Sequence, residues 1–342
     1  MNKPVDFRVG SADSLLVSLV VPVFNERAML PLFFDRLLPV LAKLKLRYEI
    51  MLVDDGSEDG SAGYIHNEIK RTPGLRLVKL SRNFGKEAAV TAGLEHAKGD
   101  AVIVLDADLQ DPPEQIPDMI DCWQSGADVV LMQRRSRAGE TAFKRWSAHF
   151  FYRLLNRTSR TDIPVDTGDF RLMSRKAVDA VSSLNERNRY MKGLFAWIGM
   201  PTRVIQYDRE PRAAGETKWD YPGLIGLALE GLTSFSVSPL RWATIIGLFA
   251  ASIGALFGLW IVIKALMLGD ATSGYPSLVA IISFLGGIQL LSIGIVGEYV
   301  GKTYMETKQR PVYLIDEVME SPVGVSQPIG AKMSEARHVK AI

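Results

Sequence analysis

The sequence VIVLDADLQDPPE, residues 102–114, places an aliphatic run directly before a cluster of acidic side chains. The run is typical of a strand buried on both faces, and the acidic cluster begins where that strand is expected to end. Asp106 and Asp108 supply two carboxylates there, and the amide of Gln110 follows. Such hard oxygen donors suit Mg²⁺ or Mn²⁺, usually with phosphate oxygens completing the shell. A solvated turn is the alternative for a lone Asp-x-Asp, but the preceding strand favours the metal site.

Similar patterns on both sides of this segment predict an α/β fold. Aliphatic runs predict strands, and apolar residues at helical spacing predict helices. The predicted strands are residues 16–23, 48–53, 75–80, 101–105 and 129–132, and the predicted helices are residues 29–44 and 87–97. Asp111 is expected to cap a further helix, with Pro112 in its first turn. This alternation predicts a mostly parallel, doubly wound sheet that binds ligands beyond the carboxyl ends of its strands.

Two more polar clusters fall at the carboxyl ends of predicted strands. Asn25-Glu26 follows the first strand, and Asp54-Asp55 follows the second. A carboxylate at such a position can accept hydrogen bonds from a uracil ring or from ribose hydroxyls. An Asp-Gly turn with a helix cap is an equally good interpretation of the second cluster. The glycine-rich loops of dinucleotide and triphosphate sites are absent from the sequence, so nucleotide binding has to rest on these polar clusters.

Two long apolar segments predict a membrane anchor. Residues 242–268 contain one charge, Lys264, and residues 276–297 contain none. A helix needs about 20 apolar residues to cross the hydrocarbon core of a bilayer. The short loop between the segments has no Lys or Arg, whereas Arg241 precedes the first span and three basic residues follow the second. The positive-inside rule therefore predicts two spans with both termini in the cytoplasm.

The apolar and basic segments divide the chain into four predicted parts. They are a cytoplasmic catalytic domain at 1–220, an interfacial helix at 221–241, a two-span anchor at 242–298 and a cytoplasmic tail at 299–342. The protein as a whole is predicted to be anchored in the inner (plasma) membrane of a cell. Residues 134–160 carry eight basic side chains and one acid, with aromatic residues at helical spacing. This pattern favours an amphipathic helix at an anionic membrane surface, and packing on the catalytic core is the alternative.

Global composition restricts the partners. The formal net charge is only +2, which gives no case for nucleic acid as a partner. Cys122 is the single cysteine, so no disulfide can form within the chain, in keeping with a cytoplasmic catalytic part.

Five segments together resemble glycosyltransferase family 2. They are VSLVVPVFNE, YEIMLVDDGSEDGS, LSRNFGKEAAVTAGLEHAKGD, VIVLDADLQDPPE and DTGDFRLMSR. More narrowly, they resemble the polyprenyl-phosphate glycosyltransferases, which include dolichol-phosphate mannose synthases and bactoprenol glucosyltransferases of the GtrB type. The resemblance extends over about residues 18–310 and implies an A-type glycosyltransferase fold, a divalent metal and inverting transfer of a hexose.

The resemblance also implies roles for individual residues. It places Asp108 and Gln110 at the metal and Asp169 at the position of the catalytic base, with Asp166 as a competing carboxylate. Arg212 and Lys218 would grip the donor diphosphate or the acceptor phosphate, as cations of this kind do elsewhere. The residues implied for nucleotide-sugar binding are Pro22, Phe24, Glu26, Val53, Asp55, Asp106, Ala107 and Arg134.

The acceptor implied by the resemblance is a polyprenyl phosphate such as undecaprenyl phosphate. A phosphate monoester is already charged near neutrality, since its second pKa is about 6, so strong base catalysis is less necessary than for a sugar hydroxyl. Asp169 could therefore orient the acceptor instead. UDP-glucose is the expected donor, and GDP-mannose or a modified sugar donor stays open. The family also suggests a homotetramer, with residues 312–315 as a strand used in assembly.

Two other functions are weaker interpretations. A processive polysaccharide synthase on the same fold needs a Q-x-x-R-W motif, but Ser238 stands where the glutamine would precede Arg241-Trp242. A non-catalytic membrane scaffold would not need the acidic cluster or the basic segment, and both are intact.

Overall fold

The structure is a computed structural model that describes residues 15–44, 46–135, 167–187, 189–210, 233, 238–268 and 274–322. The chain divides into two compact units. The first contains every described strand and all of the shorter helices, and the second contains two long helices. Most of the predicted amphipathic segment 134–160 lies outside the described residues, from residue 136 onward, and so do residues 221–232 and 234–237 of the predicted interfacial helix 221–241.

The first unit is built on one eight-stranded sheet. Its strands run in the order β7-β5-β6-β4-β1-β2-β3-β8. The strands are β1 Leu16–Val23, β2 Arg47–Asp54, β3 Leu75–Leu80, β4 Ala101–Val104, β5 Val129–Arg134, β6 Thr167–Ser174, β7 Thr202–Tyr207 and β8 Ile315–Glu320. Strands β3, β2, β1 and β4 are parallel neighbours, as the sequence predicts. Their side chains are almost wholly buried, which explains their continuous aliphatic runs.

The helices of this unit cover the sheet. They are α1 Leu30–Ala42, α2 Ser61–Ile69, α3 Lys86–His96, α4 Ile116–Gln124, α5 Arg175–Ser182 and α6 Met191–Trp197. The α/β prediction is thus confirmed, and the predicted helices 29–44 and 87–97 correspond to α1 and α3. The predicted cap at Asp111 is wrong. A short 3-10 turn, Pro113–Gln115, precedes α4, and the buried Asp111 carboxylate instead accepts a hydrogen bond from the Tyr207 hydroxyl.

Strand β6 makes the sheet mixed, and it matters for the site. It lies between β4 and β5 and is antiparallel to both. Val104 of β4 pairs with Arg171 of β6. In an antiparallel pair, moving two residues forward along one strand corresponds to moving two residues backward along its partner. This register therefore brings Asp106 beside Asp169.

Strand β8 comes from the segment that the sequence pattern assigned to the tail. It pairs with β3 of its own chain, so residues 315–320 belong to the sheet, and the strand predicted for assembly at 312–315 overlaps β8 only at Ile315. Ion pairs support the pairing, because Asp316 lies 2.6 Å from the Lys79 ammonium and Glu320 lies 2.9 Å from the Arg76 guanidinium.

The second unit contains the two predicted apolar helices. They are α7 Ser238–Leu268 and α8 Tyr275–Thr307, and they contact each other. Within them, Ser238–Ile261 and Phe284–Thr307 are long and apolar enough to cross a membrane. Large apolar side chains point outward, for example Leu248 at 70% and Leu290 at 71% exposure. A surface of this kind is typical of contact with lipid or with another protein surface.

Gly93 lets α3 approach the sheet, and we expect Gly93→Ala to destabilise the protein. An added Cβ would lie 2.2 Å from Val20 Cγ1 and 3.2 Å from Val53 Cγ2. Overpacking of this kind costs about 1–3 kcal/mol. The matched control is Gly63→Ala in α2, where a Cβ meets nothing within 4 Å; there the better helix propensity should stabilise by about 1 kcal/mol. Thermal unfolding of the solubilised variants measures both, and a Gly93→Ala protein as stable as wild type would contradict the packing argument.

Candidate active site

The loops after β1 and β2 are joined by hydrogen bonds at the carboxyl edge of the sheet. The Asn25 backbone N–H donates to Ser57 Oγ at 2.9 Å, and the Glu58 N–H donates to Asn25 Oδ1 at 2.9 Å. The Glu26 N–H donates to Ser61 Oγ at 3.1 Å. Asn25 has a φ of 53°, a conformation that asparagine adopts more readily than most residues. The predicted nucleotide residues Phe24 and Glu26 therefore stand on a fixed loop.

Asp55 holds the next loop in place. Its carboxylate oxygens accept hydrogen bonds from the backbone N–H groups of Phe84 at 2.7 Å and of Gly85 at 2.9 Å. Burial raises the pKa of Asp55. A Cβ on Gly56 would lie 2.5 Å from the carbonyl carbon of Arg82, so only glycine allows the two loops to pack this closely. The resemblance implies that Asp55 binds the nucleotide, and in the structure its carboxylate orders the loop at residues 84–85.

A cleft of about 380 Å³ lies between these loops. Phe24, Ser57, Lys79, Arg82 and Asn83 are among its lining residues. It offers an aromatic face with hydroxyl and amide groups, which suit a heterocyclic base and its ribose, and the Lys79 ammonium at its edge pairs with Asp316. The other predicted nucleotide residues differ in access. Pro22 is half-buried, whereas Val53 and Ala107 are buried, so those two can meet a ligand chiefly through backbone atoms.

The acidic cluster follows β4 at the same edge. Leu109 has a φ of 57°, and this turn lets the Gln110 N–H donate to Asp108 Oδ1 at 3.2 Å. Within the described residues, no three His, Cys, Asp or Glu side chains form a group that could hold a metal ion. Asp106, Asp108 and Gln110 carry the oxygen donors that Mg²⁺ prefers, and a cation bound to them would need phosphate and water oxygens to complete its shell.

Lys86 connects the acidic cluster to the candidate catalytic carboxylate. Its ammonium nitrogen lies 2.7 Å from Asp106 Oδ1 and 2.6 Å from Asp169 Oδ2. Lost hydration alone would lower the pKa of Lys86, but the charges of Asp106 and then Asp169 outweigh it and raise that pKa. Sequence reasoning missed Lys86. The signal that could have found it is its place directly before the predicted helix 87–97, after the loop that follows β3.

Asp169 lies among several charged groups. Burial alone would raise the pKa of Asp169, but the charges of Lys86, Lys192 and Arg171 lower it below its usual range. Burial and the charge of Asp169 raise the pKa of Glu87 to about 8. Asp169 is therefore an ionised carboxylate near neutrality, and its lowered pKa makes it a weak proton acceptor.

Arg134 ends β5 beside β6. A Cβ added to Gly168 would lie 3.5 Å from Arg134 Nη2, so the guanidinium lies against the residue before Asp169. Arg134 also shares a hydrogen bond with the Tyr207 hydroxyl, which in turn donates to Asp111. Burial raises the pKa of Asp111 to about 6, and the charge of Asp106 acts in the same direction. These contacts hold Arg134 at the edge that carries the acidic cluster.

The structure thus brings together most of the predicted site residues. Asp106, Asp108, Gln110, Arg134 and Asp169 lie at the carboxyl ends of β4 and β5 and the start of β6. The predicted phosphate-binding residues Arg212 and Lys218, and also Asp166, lie outside the described residues.

Known proteins provide an independent comparison. The family described as "Glycosyl transferase family 2" matches residues 18–182. The prophage bactoprenol glucosyl transferase homolog of Escherichia coli is 46% identical over 88% of this chain and 99% of that protein. The bactoprenol glucosyl transferase of Shigella phage SfV is 48% identical over 87% of this chain and 97% of that protein.

A solved glucosyl-3-phosphoglycerate synthase from Mycobacterium tuberculosis aligns with a TM-score of 0.46 at 16% identity, over 64% of this chain and 78% of that chain. The sequence relationship to the bactoprenol enzymes extends over nearly their whole length. The chain therefore belongs to glycosyl transferase family 2 and is a glycosyltransferase.

Proposed function

We propose that the protein transfers glucose from UDP-glucose to a polyprenyl phosphate, with inversion at the anomeric carbon, on the cytoplasmic face of the plasma membrane. The observation that carries the proposal is the 46–48% identity to proteins named bactoprenol glucosyl transferases over nearly their full length. The charged site at the carboxyl edge of the sheet and the two long apolar helices agree with it. The product would be a lipid-linked sugar for cell-envelope glycosylation.

The donor would bind across the carboxyl ends of β1, β2 and β4. Its base and ribose would occupy the cleft beside Phe24, and its diphosphate would reach the acidic cluster and Arg134. Asp108 and Gln110 would hold Mg²⁺ or Mn²⁺ there, and a bound cation would supply positive charge to the leaving diphosphate. Arg212 and Lys218 would add two further cations for phosphate groups.

The acceptor phosphate would attack the anomeric carbon directly. It is already ionised near neutrality, because the second pKa of a phosphate monoester is about 6. Electrostatic preorganisation is then the main contribution of the protein. Asp169 has a lowered pKa and ion-pairs with Lys86, which favours a role in orienting the acceptor or the sugar hydroxyls over proton abstraction.

The lipid chain of the acceptor would remain in the bilayer. Two spans with both termini in the cytoplasm would keep the catalytic unit at the membrane surface, where the lipid phosphate is presented. A homotetramer is part of the proposal, and light scattering of the detergent-solubilised protein tests it. Labelling of single cysteines placed in the 269–273 loop and near the C-terminus tests the orientation.

The decisive experiment is an assay with membranes that contain the protein. They are incubated with undecaprenyl phosphate, Mg²⁺ or Mn²⁺ and, in separate reactions, radiolabelled UDP-glucose, UDP-galactose, GDP-mannose and UDP-formylated aminoarabinose. We expect a chloroform-soluble labelled product from UDP-glucose alone. Product from another donor would replace glucose by that sugar, and the absence of product from every donor would refute lipid-phosphate transfer.

We expect Asp55→Asn to weaken donor binding. The two carboxylate oxygens of Asp55 accept hydrogen bonds from the backbone N–H groups of Phe84 and Gly85. In the variant, one of these oxygens is replaced by an N–H₂ group, which cannot accept, so one of the two hydrogen bonds is lost. Hydrogen bonds to a charged group contribute about 1.5–3 kcal/mol, so the dissociation constant for UDP should rise by roughly tenfold or more. Isothermal titration measures it, with Asp35→Asn on the exposed face of α1 as the control. Unchanged UDP affinity would mean that this loop does not shape the donor site.

A further inference from the structure

We propose that Lys86 is a positioning residue for the transfer reaction: its ammonium group joins the carboxylates of Asp106 and Asp169 and so fixes the candidate catalytic carboxylate against the donor-binding end of the sheet. The inference rests on the proposed role of Asp169 in transfer. It adds a residue that the sequence motifs leave without a role.

The two carboxylates come from neighbouring strands. The β4–β6 register pairs Val104 with Arg171, and its continuation sets Asp106 opposite Asp169. Like charges directly opposite each other on adjacent strands repel. The Lys86 nitrogen lies 2.7 Å from one carboxylate and 2.6 Å from the other, so one cation compensates both. Without it, the two side chains would turn away from each other, and Asp169 would lose its fixed direction.

Lys86 is itself held by the loop beside the donor cleft. It is the first residue of α3, directly after Gly85, which has a φ of 97°. Asp55 binds the N–H groups of residues 84 and 85, and Arg82 and Asn83 line the cleft. Lys86 therefore follows these two lining residues by no more than four positions in the sequence. A nucleotide that orders this loop would also set the position of Asp169.

The alternative is that Lys86 grips a substrate phosphate directly. That role would require the ammonium to give up contacts with two carboxylates at once. Arg134 already supplies a cation at the edge of the acidic cluster, beside Gly168. The observed pairing therefore favours positioning, and the two roles predict different kinetics.

The experiment compares wild type, Lys86→Met, Lys86→Arg, Asp169→Asn and the Lys86→Met/Asp169→Asn double variant. The assay uses undecaprenyl phosphate and the nucleotide sugar that wild-type membranes use best. Misplacement of a reacting group by about 1 Å can cost a hundredfold, so we expect Lys86→Met to lower kcat by about thirtyfold and to change the donor KM by less than about threefold. Lys86→Arg should recover most of the rate. The double variant should be no slower than Asp169→Asn, because a residue that acts through another adds nothing once that partner is gone.

Each of the following kinetic results would overturn the inference: losses that multiply in the double variant, a Lys86→Arg protein as slow as Lys86→Met, or a raised donor KM at unchanged kcat. Lys98→Met is the control, because Lys98 is exposed and pairs with Glu320. A wild-type enzyme that forms no lipid-linked sugar would overturn the proposed function and this inference together. An active wild type with a normal Lys86→Met protein would overturn the inference alone.

Discussion

Asp108→Ala is expected to reduce formation of the lipid-linked sugar by about a thousandfold, since a bound metal stabilises transition-state charge by several kcal/mol. Asp108 follows the buried strand β4, and its carboxylate accepts a hydrogen bond from the Gln110 backbone N–H. This hydrogen bond fixes the orientation of the candidate metal ligand within the turn. The described residues contain no cluster of three ligating side chains. The proposed cation site draws its protein charge from the carboxylates of the acidic cluster, so loss of the Asp108 carboxylate should weaken cation binding strongly.

Two measurements separate this role from general damage to the fold. In wild type, Mn²⁺ should tighten UDP binding relative to EDTA, and Asp108→Ala should remove that difference. Asp118→Ala is the matched control, because Asp118 is exposed on α4, ten residues further along the chain. Wild-type rates of lipid glycosylation in the Asp108→Ala membranes would refute the metal site.

The sequence predicted the strands correctly where both faces of the sheet are buried. Strands β1 to β4 are covered on both faces, so their residues are aliphatic without alternation and their ends are marked by polar clusters. The predicted and observed bounds of β1 and β3 coincide. The position of Asp106 and Asp108 at the edge of the sheet follows from this alone.

Strands that carry both exposed or polar residues and buried apolar residues could not be predicted in the same way. The β8 segment, IDEVME, mixes charged and apolar residues without strict alternation at the edge of the sheet. Asp316 and Glu320 pair with basic residues on β3 that are distant in sequence. Strand β6 carries the polar residues of the site in its first half. Its antiparallel insertion between β4 and β5 depends on the whole sheet, so the pairing of Asp106 with Asp169 required the structure.

Individual side-chain roles were the least predictable part of the site. Both Asp55 and Asp108 are carboxylates after buried strands, yet Asp55 binds a loop of its own chain. Lys86 resembles any solvated lysine at the start of a helix until β6 brings Asp169 next to it. Sequence spacing identifies which residues reach the carboxyl edge of a sheet, and it does not identify their partners there.

Asp169→Asn is expected to lower kcat by about a hundredfold, the scale of one preorganised electrostatic contact in an active site. The expected pH dependence is more informative than this loss. The pKa of Asp169 is held below its usual range by Lys86, Lys192 and Arg171, so the carboxylate stays ionised throughout the neutral range and does not titrate there. Any loss of rate on acidification should instead follow the acceptor phosphate, whose second pKa is about 6.

The wild-type and Asp169→Asn enzymes should therefore give parallel profiles of kcat between about pH 5 and pH 8, separated by a constant factor. If Asp169 were a base that titrates in this range, the acid limb of the wild-type profile would disappear in the variant. Glu87→Gln is a suitable control, because burial and the charge of Asp169 raise the pKa of Glu87 and so favour its protonated carboxyl group. The amide resembles that protonated group, so this variant should keep both the wild-type rate and profile. A parallel loss in Asp169→Asn alone would assign Asp169 to electrostatic positioning, which is the role its ion pair with Lys86 favours.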